Sequence, residues 1–176
     1  MATYKYIASV TVGSGGTSSI DFTSIPQTYD NLVIQLNTRN SRSSNGPGYG
    51  YLTLNSSTSG FYKSYIGQYN SGTGDPGGIG VGTASDNLFT EALGIDAASA
   101  NSFGTAVLYF TSYKTAYSKI ISVDACNGGS ATTPFHHYYN GVSWSSTSAI
   151  TSISITSTGN TFKQYSTAYL YGIKNS

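Results

Sequence analysis

The sequence predicts an all-β protein, a single antiparallel β-sandwich domain of jelly-roll-like form over residues 1–176. Three observations predict it. Apolar residues recur with period two along short runs. Turn-forming residues interrupt those runs at intervals of roughly 8–15 residues. No stretch carries the capped 3.6-residue repeat of a helix. Strands without helices bury their apolar faces by packing sheet on sheet.

The elements follow in order. TYKYIASVTV places Tyr4, Tyr6, Ala8, Val10 and Val12 on one face and Lys5, Ser9 and Thr11 on the other. GSGG then breaks the strand with residues that tolerate positive φ, and TSSIDF resumes with Ile20 and Phe22 on one side, which predicts a hairpin. SIPQTYDN is a loop, LVIQLNTR a strand with Leu32, Ile34 and Leu36 inward, and NSRSSNGPG a polar loop. YGYLTLN, with Leu52 and Leu54 on one face, and FYKSYIGQY are the next strands. Residues 70–87 are Gly-rich without clear periodicity and predict a long surface loop. LFTEALGI reads as a strand or a single helical turn. FGTAVLYFTSY, KIISVDAC, PFHHYYNGVSW, ITSISIT and FKQYSTAYLYGI complete about nine to eleven strands. The long first and last strands are candidates to lie side by side. The expected core contains Val10, Phe22, Leu32, Ile34, Leu36, Leu54, Leu108, Ile121, Val123, Ile153, Ile155 and Leu170. Neither an interdomain linker nor an internal repeat is evident.

Composition narrows the function. Charged residues are 9% of the chain, against roughly 25% in an average soluble domain. The net charge of +1 offers no basic field for nucleic acid and no acidic field for metals. Low charge also removes a common guard against self-association. The chain holds 16 Tyr, 7 Phe and 1 Trp, and tyrosine suits half-wet interfaces and strands. Cys126, the lone cysteine, is expected to be a buried small apolar residue. The N-terminus lacks a signal-peptide pattern, and no apolar run approaches the roughly 20 residues of a membrane helix. Synthesis in a cytoplasm, away from membranes, is the expectation.

Residues that could do chemistry are sparse. Glu91 is the only glutamate, and the six aspartates form no close pair in sequence, whereas a glycosidase needs two facing carboxyl groups. Asp30, Asp75 and Asp86 look like turn formers. His136 and His137 are adjacent on a strand and so point to opposite faces, unable to share a metal. GTGDPG at Gly72–Gly77 matches a dinucleotide-loop spacing but has no helix after it. Asn55-Ser56-Ser57 is a sequon without a secretory context. No catalytic residue, cofactor or metal is therefore expected. The remaining candidate is the aromatic segment HHYYNGVSW, where His136, His137, Tyr138, Tyr139 and Trp144 are candidate contacts for a protein surface or a glycan.

Two end segments, YKYIASVTVGSGGTSSIDFTSIPQTYDNLVIQL and NTFKQYSTAYLYGIK, resemble the opening and closing segments of a family of small β-rich virion proteins of tailed bacteriophages, including phages of cyanobacteria and marine bacteria. NSFGTAVLYFTSY, KIISVDAC and SAITSISI resemble its middle in character and order; the central loops do not match. The resemblance implies a non-enzymatic virion protein, assembled in the host cytoplasm. The first expectation is a capsid decoration (cement) protein that braces the shell against the major capsid protein or another virion protein. A homo-oligomer is expected, with a trimer favoured by the threefold positions of capsids. The alternative is a receptor-binding or fibre module for a host surface glycan; a virion enzyme such as a depolymerase comes third.

Overall fold

A computed structural model describes residues 2–43, 48–70, 79–90, 93–95, 102–128, 135–157 and 159–175. Every regular element in it is a strand: β1 (Thr3–Thr11), β2 (Ser19–Phe22), β3 (Asn31–Asn40), β4 (Gly50–Leu54), β5 (Phe61–Asn70), β6 (Ile79–Ala84), β7 (Leu88–Thr90), β8 (Gly94–Ile95), β9 (Gly104–Thr111), β10 (Lys119–Cys126), β11 (Phe135–Trp144), β12 (Ile153–Thr156) and β13 (Thr167–Lys174). The larger, nine-stranded sheet runs β1-β13-β3-β9-β10-β11-β5-β6, with β8 paired in parallel to the end of β3. The smaller runs β2-β12-β4-β7. All pairings but the β3–β8 one are antiparallel, and the two sheets pack as a sandwich. The first and last strands pair with each other, from Thr3 opposite Lys174 to Thr11 opposite Thr167.

The core lies between the sheets because period-two side chains of both converge there. Ile20, Phe22, Leu52, Leu54, Phe89, Ile153 and Ile155 of the smaller sheet meet Leu32, Ile34, Leu36, Leu108, Phe110, Ile121, Val123 and Leu170 of the larger. Each such side chain, fully buried, stabilises the fold by about 1.5–3 kcal/mol relative to exposure. Every expected core residue is buried except Val10, which is half-buried against the core.

Four sequence expectations need correction. The β1–β2 hairpin does not form: β1 pairs β13 in the larger sheet and β2 pairs β12 in the smaller. The glycine-rich turn carries the chain from one sheet to the other, with Gly16 at φ +69° and no room for a Cβ against the Phe162 carbonyl oxygen. In the smaller sheet Ile20 and Phe22 are buried in the core between the two layers. Second, the expected loop over 70–87 contains β6, paired to β5 from Lys63 opposite Ala84 to Gln68 opposite Ile79. Its Ile-Gly-Val-Gly-Thr pattern is a period-two strand in which Gly82 receives a neighbour's ring; a Cβ there would strike Tyr65. Third, LFTEALGI yields two short strands, β7 and β8, rather than one strand or a helical turn. Fourth, Tyr4 and Tyr6 do not share a face with Ala8 and Val10. A bulge between Tyr6 and Ala8 sets two residues of β1 against one of β13. Ala8 and Val10 pack on the core with Ile7, while Tyr6 turns outward opposite Tyr171, ring edge to ring at 6.2 Å.

Candidate functional site: the outer face of the larger sheet

The two outer faces differ sharply. On the smaller sheet the outward positions are Ser19, Asp21, Tyr51, Thr53, Ser154 and Thr156, a face that is polar apart from the half-buried Tyr51. On the larger sheet the outward positions carry exposed rings and aliphatic chains. Tyr4, Tyr6, Val107 and Tyr169 are exposed on β1, β9 and β13; Ile120, Phe135, Tyr139, Tyr62 and Ile66 are exposed on β10, β11 and β5. Among the described residues, every exposed large apolar side chain except Tyr117 and Tyr165 belongs to this one face. Exposed apolar side chains gathered on one face, although Ser122 and Asp124 of β10 stand between its two sides, point to an interaction site, whereas scattered single residues would not.

The face has two halves. In the β1-β13-β3-β9 half, cross-strand rows bring tyrosines into register: Tyr6 opposite Tyr171, Tyr171 opposite Val33, Val33 opposite Tyr109. In the β10-β11-β5-β6 half, Ile120, Ser143 and Tyr62 form one row and Ser122, Gly141, Ser64 and Thr83 the next. Here the small residues leave an open trough of about 650 Å³, walled by Tyr62 and Ile120 and floored by Gly141, Ser64, Ser143 and Thr83. Gly141 helps to open it: a Cβ placed there would find only the Ser64 hydroxyl, at 3.6 Å.

The aromatic segment on β11 divides between the faces, as strand alternation requires. His137 is half-buried and Tyr139 exposed on the outer face, their rings 4.5 Å apart. His136, Tyr138 and Trp144 point inward and are buried, so they cannot serve as surface contacts. Trp144 stacks on Phe61 and donates its indole N–H to the Ser59 carbonyl at 3.2 Å. Tyr138 lies flat over Gly67, where a Cβ would be 2.1 Å from the ring.

His137 Nε2 is 2.9 Å from Asp124 Oδ1, and Cys126 is its cross-strand partner. That order resembles an acid–base–thiol relay, but Cys126 is half-buried, and burial together with the Asp124 charge pushes its thiol up, away from the reactive thiolate. Among the described residues no group of three or more His, Cys, Asp or Glu side chains is placed to hold a metal ion. Glu91, Asp75 and the Gly72–Gly77 motif lie outside the described residues.

Several polar residues have structural work that the sequence reading did not anticipate. Lys63 and Lys119 are buried, although lysines in a strand pattern read as solvated. Lys119 Nζ donates to the Thr115 carbonyl at 2.7 Å and to the Tyr117 carbonyl, pinning the turn before β10, and burial lowers its pKa. Lys63 Nζ lies 3.9 Å from Asp86 Oδ1 and 5.1 Å from the centre of the Tyr65 ring. Asn55, the sequon asparagine, sits with Ser56 at positive φ in the turn after β4. Its Oδ1 accepts from Thr151 N, Thr151 Oγ1 and Ser152 N, and its Nδ2 donates to the Ala149 carbonyl at 2.7 Å. Only the φ > 0 preference of Asn was a signal in the sequence. No protein-family model and no curated protein matches this chain.

Proposed function

We propose that the chain is a non-enzymatic structural protein of a tailed-phage virion, a decoration protein that braces the shell by docking on the major capsid protein or another virion protein. The observation that carries this reading is the tyrosine-rich, charge-poor outer face of the β1-β13-β3-β9 half-sheet. Tyrosine is enriched at interface centres, and a face with few fixed charges is desolvated cheaply. Strand pairing supports the same reading. β1–β13, β2–β12, β3–β9 and β4–β7 are four antiparallel pairs, the rungs of one long folded ribbon. The ribbon wraps so that β13 meets β3 in one sheet and β12 meets β4 in the other. That winding supports the jelly-roll reading, an architecture frequent in viral capsids and lectins. By itself it fixes no function; the end-segment resemblance points it toward the virion. The chain docks as a homo-oligomer, with a trimer favoured by the threefold positions of a shell.

Fractionation of purified virions tests this reading. The chain is expected in high copy and to leave with the shell rather than with the tail. A few copies per particle, confined to tail or fibre fractions, would overturn it in favour of the second reading, a host-glycan recognition module. One observation favours that second reading: the hydroxyl-floored trough on the other half of the face.

A further inference from the structure

We infer that the trough over Gly141 is a binding site for a neutral saccharide. The inference rests on the glycan-recognition reading of this face and not on shell docking. It places the contact away from the inward-facing aromatic residues of β11.

Position comes first. The eight ribbon strands account for β1-β13-β3-β9 and β2-β12-β4-β7, whereas β10, β11, β5 and β6 are additions that extend the larger sheet. The trough lies on these four added strands. Their inner face is already closed by stacked Trp144 and Phe61 and by the Tyr138 ring over Gly67, and Asn140 ties them to β7 by donating to the Phe89 carbonyl at 2.7 Å. Internal packing therefore explains the inward residues of the addition and leaves its outward pattern of small hydroxyl residues between large apolar ones unexplained.

The lining chemistry selects the ligand. Tyr62 is 56% exposed and Ile120 52% exposed, two strand positions apart. At the usual strand spacing that separation is about 10 Å, room for a pyranose ring between apolar walls. A phenol ring accepts the C–H face of a sugar, while Ser64, Ser143 and Thr83 present hydroxyls to its O–H groups. No lining residue directs a charge into the trough, since Lys63 keeps its ammonium buried 3.9 Å from Asp86. An anionic sugar would lose its hydration here without a cation to replace it. A peptide strand fits less well: β10, β11 and β5 are each paired on both edges, so their backbone groups are already taken. The volume of 650 Å³ falls within the roughly 300–1,000 Å³ of small-ligand sites.

The test is an amide NMR titration of the whole chain with maltotriose, cellotriose and mannotriose, and with 3′-sialyllactose as the anionic comparison. At least one neutral trisaccharide is expected to shift Ser64, Gly141 and Ser143, with sialyllactose weaker. Gly141→Val, which fills the floor in open space, and Tyr62→Ala should each weaken binding at least about tenfold, with the melting temperature of Gly141→Val unchanged. Failure of every neutral trisaccharide to shift those amides at about 20 mM, where a millimolar site is nearly saturated, would overturn the inference. So would wild-type affinity in folded Gly141→Val, or equal binding of sialyllactose. Shell binding is measured separately, so a chain that binds shells but no sugar refutes this site and leaves the structural role standing.

Discussion

His136 shows how one residue of an apparently uniform aromatic cluster acquires a separate role. The Asn127 side chain accepts the His136 backbone N–H at 2.8 Å, which fixes its Oδ1 and Nδ2. Its Nδ2 therefore faces His136 Nδ1 at 3.3 Å as a donor, leaving Nδ1 as acceptor and the ring proton on Nε2. Burial lowers the His136 pKa below its ordinary value of 6.5. The unfolded chain then binds more protons than the folded one between those two values, so stability rises with pH through that window. We predict that the melting temperature falls on acidification below pH 6.5, and that His136→Asn reduces the slope of that fall. Asn55→Ala should cost about 2 kcal/mol in urea unfolding, since it strips partners from several donors at once. Asn55→Gly should cost nearly as much although it keeps the positive φ; equal stability to wild type would mean that the turn, not the hydrogen bonds, matters. The sequence made the alternation of His136 and His137 legible, because strand geometry alone dictates it. It did not reveal that Lys63, Lys119 and Asn55 are tied into the fold: Asp86 and the Ala149 carbonyl are far along the chain from Lys63 and Asn55, and the Thr115 and Tyr117 carbonyls, although local, meet Lys119 only once the turn before β10 has formed.

At the scale of elements, alternation identified most strands, and the partner of each strand was the harder question. The pairing of the first and last strands was foreseen from their length and position. The crossing of β1 into β2 was not, since a glycine-rich turn serves a hairpin or a corner equally well. The bulge at Ile7 was invisible for a related reason: one extra residue reverses every outward position before it without altering the composition of the run. β6 was hidden because a glycine, Gly82, stands where the Tyr65 ring of β5 packs, so the run lacks an apolar signal there. Gly67 in β5 has the same logic beneath Tyr138. Gly67→Ala should destabilise the protein by about 1–3 kcal/mol through overpacking of that ring. Pairing it with Tyr138→Ala should recover part of the loss, and strict additivity in a double-mutant cycle would contradict the contact.

At the scale of the molecule, the sequence made the fold class and its charge-poor surface legible, and the structure shows where that surface gathers. Periodicity showed which residues alternate, but not which sheet faces inward, so the tyrosine face could not be located from the chain alone. In the proposed structural role this half-sheet is the docking surface and the added strands are free to meet a ligand. A contact made by tyrosine rings and few ion pairs should depend little on salt. The most direct measurement of the proposed role is co-sedimentation of the purified chain with empty tailed-phage shells, taken from the phage to which that role would assign it, at low and high salt, beside a Tyr6→Lys, Tyr169→Lys double variant. These two side chains are exposed, so the variant should keep the wild-type melting temperature. The account predicts that the wild-type chain pellets with shells at both salt concentrations and that the folded double variant stays in the supernatant. A wild-type chain that remains in the supernatant, or a double variant that pellets equally well, would contradict it.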